Sequence, residues 1–595
     1  MAVAPGQLAL LVACAAGALG SLFFVVSASA ASLAWLLMAL HSALRFAAVA
    51  LLTIGGGSLG MGIAHGALSG GEASCAAIRG ERFRRVAMFG LKVVPMLAMY
   101  KIAKMRSTCK RPEEALEVLA PLHRYFAPRF RVFAQEMQGV YARGGQVIAI
   151  AGGGLFPKEF VDECLVFLDD GRPLPFGDVV AIVERDLGPL DDTFESFDEW
   201  PLHTGPICQV HVARLRGGVD VVVKVQHPAA EQRFSIDMEC FLAIVRVFFP
   251  ERATELEEVQ RAFAAEFDYT KEAARQREAT AHCSALEGVA VPEPVDHLHP
   301  ASRPSSGGKV RRPNGLCTKD VLVMERLTGK SLATWSGEIA DMLSFEEGTT
   351  KEQFLSKNRD MTPEELEQQR PSRTALRLYM AGLGAVRVAG GTMGVLLSAV
   401  GGGQSWDAVG DDQSPEIIDI YRLPEQLFRI QGHLLFERGF FQSDPHPGNY
   451  MLLDDGRLGL VDWGQVKRLT PSQQCVLAQL VLAVADGDEV MAARFLRAMG
   501  MRTARDLDGT YSRYAYLYLG SWADEPVQEL GGPVQVEEAC GRIDPLREGV
   551  GEFAMPILNQ ILTRQGLAPL GFPRLDSSAL LRAEAARCLQ RLRTP

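Results

Sequence analysis

Residues 113–150 place apolar side chains at helical spacing: Leu116, Leu119 and Leu122, then Phe130, Val132, Phe133, Met137 and Val140. Repeats three and four residues apart line one face of a helix. The pattern stops at Arg143-Gly144-Gly145-Gln146, and Pro157, Pro173 and Pro175 punctuate the next stretch. From Glu199 the period changes to two. Gln209-Val210-His211-Val212-Ala213-Arg214-Leu215 alternates, Arg216-Gly217-Gly218 supplies a turn, and Val219 to Val225 is a β-branched run broken by Asp220 and Lys224. Together they predict a β-hairpin. Leu256, Val259, Phe263 and Phe267 return to helical spacing, with a charged opposite face. Residues 289–295 and Val321-Leu322-Val323-Met324-Glu325 read as strands, and the Ser/Gly/Pro/Arg-rich stretch 302–315 as an exposed loop. From Ile417 helices dominate, apart from one short hairpin at 450–462.

The first 71 residues are of another kind, with Arg45 their one formal charge. Two apolar stretches, Leu8 to Val26 and Ala31 to Leu52, each have roughly the length that spans a hydrocarbon core. Three readings compete: a targeting segment, for which Ala28-Ser29-Ala30 resembles a small-residue cleavage site; a retained membrane hairpin; or a buried Ala/Gly-rich helical pair. The sign of the charge then changes. Arg79, Arg82, Arg84, Arg85, Lys92, Lys101, Lys104 and Arg106 sit among Val86, Met88, Phe89, Leu91, Val93, Val94, Met96 and Leu97. A basic, apolar segment beside a hydrophobic one reads as a membrane-proximal flank or as a solvated helix face. Residues 336–415 read as an insertion, whose stretch 376–400 is apolar and Gly-rich and fits a buried or a membrane-facing helix pair.

Composition narrows the function. Among 595 residues, 61 Lys and Arg face 71 Asp and Glu, a formal net charge of −10, so the basic excess of a general nucleic-acid binder is absent. The mean hydropathy of +0.06 is high for a soluble chain. The eleven cysteines include no C-x-x-C pair, which argues against a disulfide framework or a zinc ribbon and for reduced thiols.

Four features, in chain order, carry chemistry. Lys224 lies inside Val221-Val222-Val223-Lys224-Val225, where a buried ammonium needs an anionic partner. Glu266-Phe267-Asp268-Tyr269-Thr270-Lys271-Glu272-Ala273 reads as an acidic helix with Asp268 and Glu272 on one face. Phe441-Gln442-Ser443-Asp444-Pro445-His446-Pro447-Gly448-Asn449 is a rigid loop in which Asp444 and Asn449 have the D-x-x-x-x-N spacing of a kinase catalytic loop, with His446 read as structural. Leu458-Gly459-Leu460-Val461-Asp462-Trp463-Gly464 closes a hairpin through the turn Asp454-Asp455-Gly456 and returns Asp462 beside Asn449. Carboxylate and amide oxygens are hard donors suited to Mg²⁺.

These residues resemble the UbiB (aarF-domain, ADCK-type) family of atypical kinase-like proteins. Asp444-Pro445-His446-Pro447-Gly448-Asn449 is the strongest marker, Glu266-x-Asp268-Tyr269-x-x-Glu272-Ala273 is similar to the family's acidic motif, and Val223-Lys224-Val225-Gln226-His227-Pro228 to its lysine strand. The resemblance implies an α+β, protein-kinase-like two-lobe fold, with a small β-rich N-lobe and a helical C-lobe. With the composition and charge pattern it gives this division: a hydrophobic targeting or transmembrane segment over 1–71, a basic membrane-proximal linker over 72–112, a helical extension over 113–200, a kinase-like N-lobe over 201–335, the insertion over 336–415, and a C-lobe with helical tail over 416–595. It implies ATP or ADP and Mg²⁺ as ligands. Lys224 would pair with Glu272 and reach the phosphates, Asp444 would be the catalytic-loop aspartate, and Asn449 and Asp462 would hold Mg²⁺. Gln209, Pro206, Ile207 and Cys208 would cover the nucleotide, and Glu325 would sit at the adenine hinge. The family's K-x-G-Q motif, which folds over the site, reads here as Arg143, Gly144, Gly145 and Gln146, faced by Glu266 and Asp268.

Two departures matter. Arg143 replaces the family lysine, a planar fork for a point charge. The phosphate-covering loop reads His203-Thr204-Gly205-Pro206-Ile207-Cys208-Gln209-Val210-His211, with Pro206 and Cys208 in place of Ser and Gly. Proline removes a backbone N–H that could touch a phosphate. The expected function is ATP-dependent phosphoryl transfer or hydrolysis at an organelle membrane, mitochondrial or plastid, with a membrane lipid or isoprenoid quinone and a membrane-bound protein complex as partner classes. The alternative is a pseudokinase acting as a nucleotide-binding scaffold. A conventional protein kinase is disfavoured, since no G-x-G-x-x-G precedes Lys224 and no Ala-Pro-Glu follows Asp462.

Overall fold

The computed structural model describes residues 72–107, 112–151, 156–168, 171, 173–302, 314–335, 344, 348–350, 353, 422–444, 447–521, 527, 533–567 and 575–593. The hydrophobic segment 1–71, nearly all of the expected insertion and His446 lie outside the described residues. The chain is a mixed α+β protein. It opens with helices α1 (Glu72–Ser107), α2 (Pro112–Met137), α3 (Val140–Ala151) and α4 (Phe176–Leu187).

A five-stranded antiparallel sheet comes next. It is built from β1 (Phe194–Phe197), β2 (His203–Thr204), β3 (Cys208–Leu215), β4 (Asp220–Gln226) and, from later in the chain, β6 (Val321–Glu325), in the order β1-β3-β4-β6 with β2 also on β3. The expected hairpin is β3–β4, with Val210 opposite Lys224 and Val212 opposite Val222. Gly218 closes its turn at φ +79°, a conformation that suits glycine. Alternation sorts the two faces. Val221, Val223, Val225, Val321 and Val323 pack against Val179, Ile182 and Val183 of α4. Val222, Lys224, Leu322 and Met324 point to the other face.

Between β4 and β6 run α5 (Ala230–Phe248), α6 (Ala253–Ala264), α7 (Tyr269–Cys283) and the short strand β5 (Val289–Ala290). Tyr269 and Ala273 of α7 cover the second face of the sheet through Leu322 and Met324. The expected acidic helix is broken. Asp268 adopts extended backbone (φ −136°, ψ 95°) and its carboxylate caps α7 by accepting from Thr270 N–H at 3.2 Å. An aspartate in this position satisfies an orphan N–H that a continuous helix would not leave, so Asp268 and Glu272 do not share a face.

The remainder is largely helical: α8 (Leu423–Gly432), α9 (Pro471–Ala485), α10 (Asp508–Leu519), α11 (Ala554–Leu567) and α12 (Ser577–Arg593). Their apolar faces form the largest core, around Leu427, Phe428, Phe436, Leu477, Val481, Tyr511 and Leu581. Set into it are β7 (Gly329–Ser331), β8 (Phe440–Gln442), β9 (Tyr450–Leu453), β10 (Leu458–Leu460) and β11 (Val466–Arg468). The hairpin expected at 450–462 is β9–β10, joined to β7 on one side and to β5 on the other. β8 pairs with β11, Gln442 opposite Val466.

The basic stretch expected as a linker is helix α1. From Gly80 to Ala103 it is long and apolar enough, by length and composition, to cross a membrane, with mean hydropathy 1.5. Its Phe89 and Val93 pack with Phe133, Met137 and Tyr141. Its Arg85 is buried (1 % exposed) and reaches α5, where Nε donates to Asp237 Oδ1 at 2.8 Å, while Nη1 donates to Met137 O at 3.0 Å. The helical run of 113–150 does not end at Arg143–Gln146. The break falls at Gln138-Gly139, both with positive φ (55° and 57°), and α3 runs through Gly144 and Gly145.

Candidate active site

Lys224 is delivered by strand alternation to the face covered by α7. Its Nζ donates to Glu272 Oε1 at 2.7 Å and to Asp462 Oδ1 at 3.1 Å, and lies 5.1 Å from the centre of the Tyr269 ring. Burial opposes its charge, but the two carboxylates outweigh it and hold the lysine protonated well above its ordinary range. Glu272 is fully buried, and burial pushes its carboxyl up to about 7 against the pull of Lys224. Its second oxygen, Oε2, is buried with no hydrogen-bond partner.

The β9–β10 hairpin brings Asn449 and Asp462 together, as expected from the turn. Val461 N–H donates to Asn449 O at 2.9 Å, and Asn449 Nδ2 donates to Asp444 O at 3.0 Å. With its NH2 so used, the acceptor that Asn449 has to offer is its amide oxygen. Asp462 adopts φ +63°, unusual for a residue with a side chain. Its Oδ1 also accepts from Gly464 N–H at 3.3 Å. Burial works to raise its pKa, and Lys224 and Arg143 outweigh that, so the carboxyl lies below its ordinary value. Trp463 is fully buried behind it, its indole N–H on Leu460 O at 3.2 Å.

Arg143 of α3 reaches the same place. Its Nη2 donates to Glu266 Oε1 at 3.2 Å and to Asp444 Oδ2, and its guanidinium lies 4.9 Å from the Phe263 ring centre. Glu266 also accepts from Gln465 Nε2, and burial pushes its carboxyl up to about 7. The rest of the motif is local. A Cβ on Gly145 would stand 2.3 Å from the Phe167 ring, so only glycine lets that ring seat on α3. Gln146 Nε2 donates to Phe167 O at 3.0 Å. Glu266 faces the motif as expected. Asp268, occupied as a helix cap, does not.

The loop before β3 is anchored rather than open. Ile207 packs among Ala230, Phe234, Met238 and Phe267, and its carbonyl accepts from His227 N–H at 2.8 Å. The Pro206 carbonyl is bonded to the His227 ring, and burial lowers the pKa of that ring to about 4. Burial likewise pushes the Cys208 thiol up to about 11, beside Lys224. His227 is thus neutral in the folded chain and ordinary, near 6.5, in the unfolded one. Its contribution to stability is full above pH 6.5 and is lost as pH falls toward 4. On the order of 3 kcal/mol should disappear over that window. His227→Asn should flatten this part of the pH–stability curve, measured by urea unfolding; an unchanged curve would mean that the ring is solvated.

Besides Asp268, Gln209 and Glu325 do not join the cluster. Gln209 pairs with Val225, so it points to the opposite face from Lys224, and its carboxamide is used by Leu174 N–H at 2.7 Å and by His211 at 2.8 Å. Its strand parity, odd against even for Lys224's partner Val210, carried that information. Glu325 ends β6 as expected, half-exposed, with His299 Nε2 at 3.4 Å. Gln465, Gln442 and Arg275 join the site without having stood out in the sequence. Arg275 Nη1 donates to the carbonyls of Gly464 (2.6 Å) and Ala265 (3.2 Å) and so ties the acidic motif to the Asp462 loop. Its one signal was its place one turn after Glu272.

The site thus holds four carboxylates (Asp444, Asp462, Glu266, Glu272) and three cations (Lys224, Arg143, Arg275), a formal excess of −1. A Cβ on Gly464 would lie 3.2 Å from atoms of Asp462, Glu266 and Glu272 alike, so three of the acids converge on one glycine. Burial is the main reason the Glu266 and Glu272 carboxyls are raised; the neighbouring acids add to it and the facing cations oppose it. Residues 167–300 and 410–495, which supply Lys224, Glu266, Glu272, Asp444, Asn449 and Asp462, match the family model of the ABC1 atypical kinase-like domain. The chain carries an ABC1 atypical kinase-like domain.

Relatives of the ABC1 domain agree. An uncharacterized aarF domain-containing protein kinase of Arabidopsis thaliana, described as chloroplastic, is 26 % identical over 409 residues, 67 % of this chain and 57 % of the relative. The aarF domain-containing protein kinase 1 of Xenopus laevis is 24 % identical over 401 residues, 65 % of this chain and 59 % of the relative. The "Probable protein kinase UbiB" of Pseudomonas entomophila is 26 % identical over 246 residues, 39 % of this chain and 42 % of the relative. The chain therefore spans under three fifths of the length of these relatives. A Mycobacterium tuberculosis protein solved with erythromycin, Rv3197, aligns over 77 % of this chain and 99 % of its own at 18 % identity, with a TM-score of 0.34.

The donor set of the ABC1 domain fits a hard divalent cation. Asn449 offers an amide oxygen and Asp462 a carboxylate, and the local excess of negative charge favours a cation. Among the described residues no group of three or more His, Cys, Asp or Glu is placed to hold a metal ion by itself. Phosphate oxygens and water would complete the shell, as suits Mg²⁺.

Proposed function

We propose that the protein binds Mg²⁺ with ATP or ADP between a β-rich N-lobe and a helical C-lobe, and that it transfers or hydrolyses the terminal phosphoryl group. The observation that carries this reading is Lys224 held between Glu272 (2.7 Å) and Asp462 (3.1 Å). One ammonium thereby joins β4, α7 and the Asp462 loop, three parts of the chain far apart in sequence. In this reading Glu272 fixes the direction of Lys224, whose ammonium meets the α- and β-phosphates. Asn449 and Asp462 hold Mg²⁺, which, when bound, neutralises charge on the phosphate oxygens. Asp444 orients or deprotonates the attacking hydroxyl or water. Ile207 and Cys208 cover the nucleotide, and Glu325 marks the hinge. Helix α3, through Arg143, is an extension over this site.

The setting we propose is an organelle membrane, with a lipid or isoprenoid quinone, and proteins of a membrane-bound complex, as partners. The apolar span of α1 and the chloroplastic label of the Arabidopsis relative support it. A scaffold without turnover is the second reading, favoured by one observation: Arg143 pairs with Asp444, the residue that would act on the nucleophile.

Arg143→Ala separates the two. If the site is catalytic, freeing Asp444 should raise Mg-ATP hydrolysis by about tenfold or more, since removing a partner from a carboxylate is worth at least ~1.4 kcal/mol here. If the protein is a scaffold, the variant and the parent should bind nucleotide alike and neither should hydrolyse it.

A further inference from the structure

Helix α11 lies beyond the matched segments of the ABC1 domain, which end at 495. Its Asn559 is 1 % exposed, and Nδ2 donates to Gln442 O at 2.7 Å. Gln442, itself 6 % exposed, turns its amide the other way: Nε2 donates to Val461 O at 2.7 Å and to Asp462 O. A relay therefore runs from α11, through the backbone carbonyl and then the side chain of Gln442, to the backbone of Asp462. That backbone sits at φ +63°, a conformation that persists only where its surroundings hold it. We infer that Asn559 is a positioning residue for the Asp462 loop, acting through Gln442.

The surroundings of Asn559 favour this over a simple packing role. Gln560 Nε2 donates to Asn559 Oδ1 at 2.9 Å, Thr563 Oγ1 to Asn559 O at 2.8 Å, and Gln431 Nε2 to Thr563 Oγ1 at 2.7 Å and Tyr450 Oη at 3.0 Å. Five polar side chains thus interlock inside a core otherwise built of Leu, Phe and Tyr. A network that fixes its members' orientation specifies one arrangement, where apolar groups of the same volume would only fill space. The same helix touches the catalytic loop a second time. A Cβ on Gly566 would lie 2.7 Å from Pro447 Cγ, so the helix backbone packs directly on the loop between Asp444 and Asn449. Helix α11 also packs against α3, which carries Arg143. One helix outside the matched domain thereby supports the Asp444 loop, the Asp462 loop and the Arg143 helix.

The inference rests on the nucleotide-site reading, and the test separates the two. Three variants of the full chain in detergent are compared: Asn559→Leu, near in volume but without a donor; Gln442→Glu, which turns an acceptor toward two carbonyls; and the double variant. The first readout is the Mg²⁺ concentration for half-maximal stabilisation by ATP. The second is amide hydrogen exchange over 458–466, taken without nucleotide. Each single change should raise the Mg²⁺ midpoint about tenfold, and the double should add less than about twofold to Gln442→Glu, because both act on one relay. Exchange over 460–465 should quicken by about tenfold, while 221–225 stays as in the parent. A lowered melting temperature with an unchanged Mg²⁺ midpoint and uniform exchange would overturn the inference, as would multiplicative effects in the double variant. If the parent itself shows no Mg-nucleotide response, the nucleotide reading fails; the exchange pattern still decides whether Asn559 positions Asp462.

Discussion

Replacing Arg85 by methionine is expected to destabilise the protein by about 3–5 kcal/mol, the range for breaking a buried ion pair by removing one partner. Arg85 and Asp237 are each about 1 % exposed in their side chains, and Arg85 joins three elements: α1, the end of α2 at Met137 O, and α5. Methionine fills most of the space, so the loss reports the charge left behind. Burial already raises the pKa of Asp237, and without Arg85 that carboxyl must take a proton or water must enter. Arg85→Met combined with Asp237→Leu should recover most of the loss, since two apolar groups need no partner. Urea unfolding of the three proteins checks this. A loss below about 1 kcal/mol for Arg85→Met would mean the pair is solvated, as surface pairs are.

Lys224→Met should abolish Mg-ATP binding while leaving the chain folded. An affinity loss of about 100-fold or more, ~2.7 kcal/mol, is expected, since a charge-assisted contact to the phosphates disappears. The fold survives because Glu272, pushed up to about 7 already, takes a proton when its cation is removed. This gives the pH effect a definite sign. A carboxyl raised above its unfolded value contributes stability below the unfolded pKa and loses it as pH rises through the folded one. In the parent this window runs from about 4.5 to about 7. In Lys224→Met it should extend upward, so the variant should lose more melting temperature than the parent between about pH 6 and about pH 8. Equal losses would mean that Glu272 is not the partner of Lys224.

Most of the site is legible in the sequence because its parts obey short-range rules. The lysine strand shows itself by β-branched neighbours, and alternation then fixes which face Lys224 takes. The Asp454-Asp455-Gly456 turn fixes the hairpin that brings Asn449 to Val461. The features that escape depend on competition between local rules or on long-range packing. Helical spacing alone puts Asp268 on a face with Glu272, but an aspartate before Tyr269-Thr270 caps the helix instead. Glycine is a poor helix former, so Gly144-Gly145 reads as a break, but the close approach of Phe167 makes Gly145 the residue α3 requires. Gln209 reads as a nucleotide contact from its place beside the covering loop, yet its parity, one removed from Val210, turns it to the α4 side. Asn559 carries no sequence signal for its role, and Arg275 only its place one turn after Glu272: an amide and a guanidinium on ordinary helices acquire meaning from the carbonyls that the fold sets opposite them.

The most direct measurement is the thermal stability of the full chain with Mg-ATP and Mg-ADP, beside Asp462→Asn. Asparagine keeps the shape of the side chain and removes the charge that faces Lys224 and the cation. The account predicts that Mg²⁺ with nucleotide stabilises the parent, that either alone does so weakly, and that the response is lost in Asp462→Asn. No stabilisation of the parent by either nucleotide, or an equal response in Asp462→Asn, would contradict it.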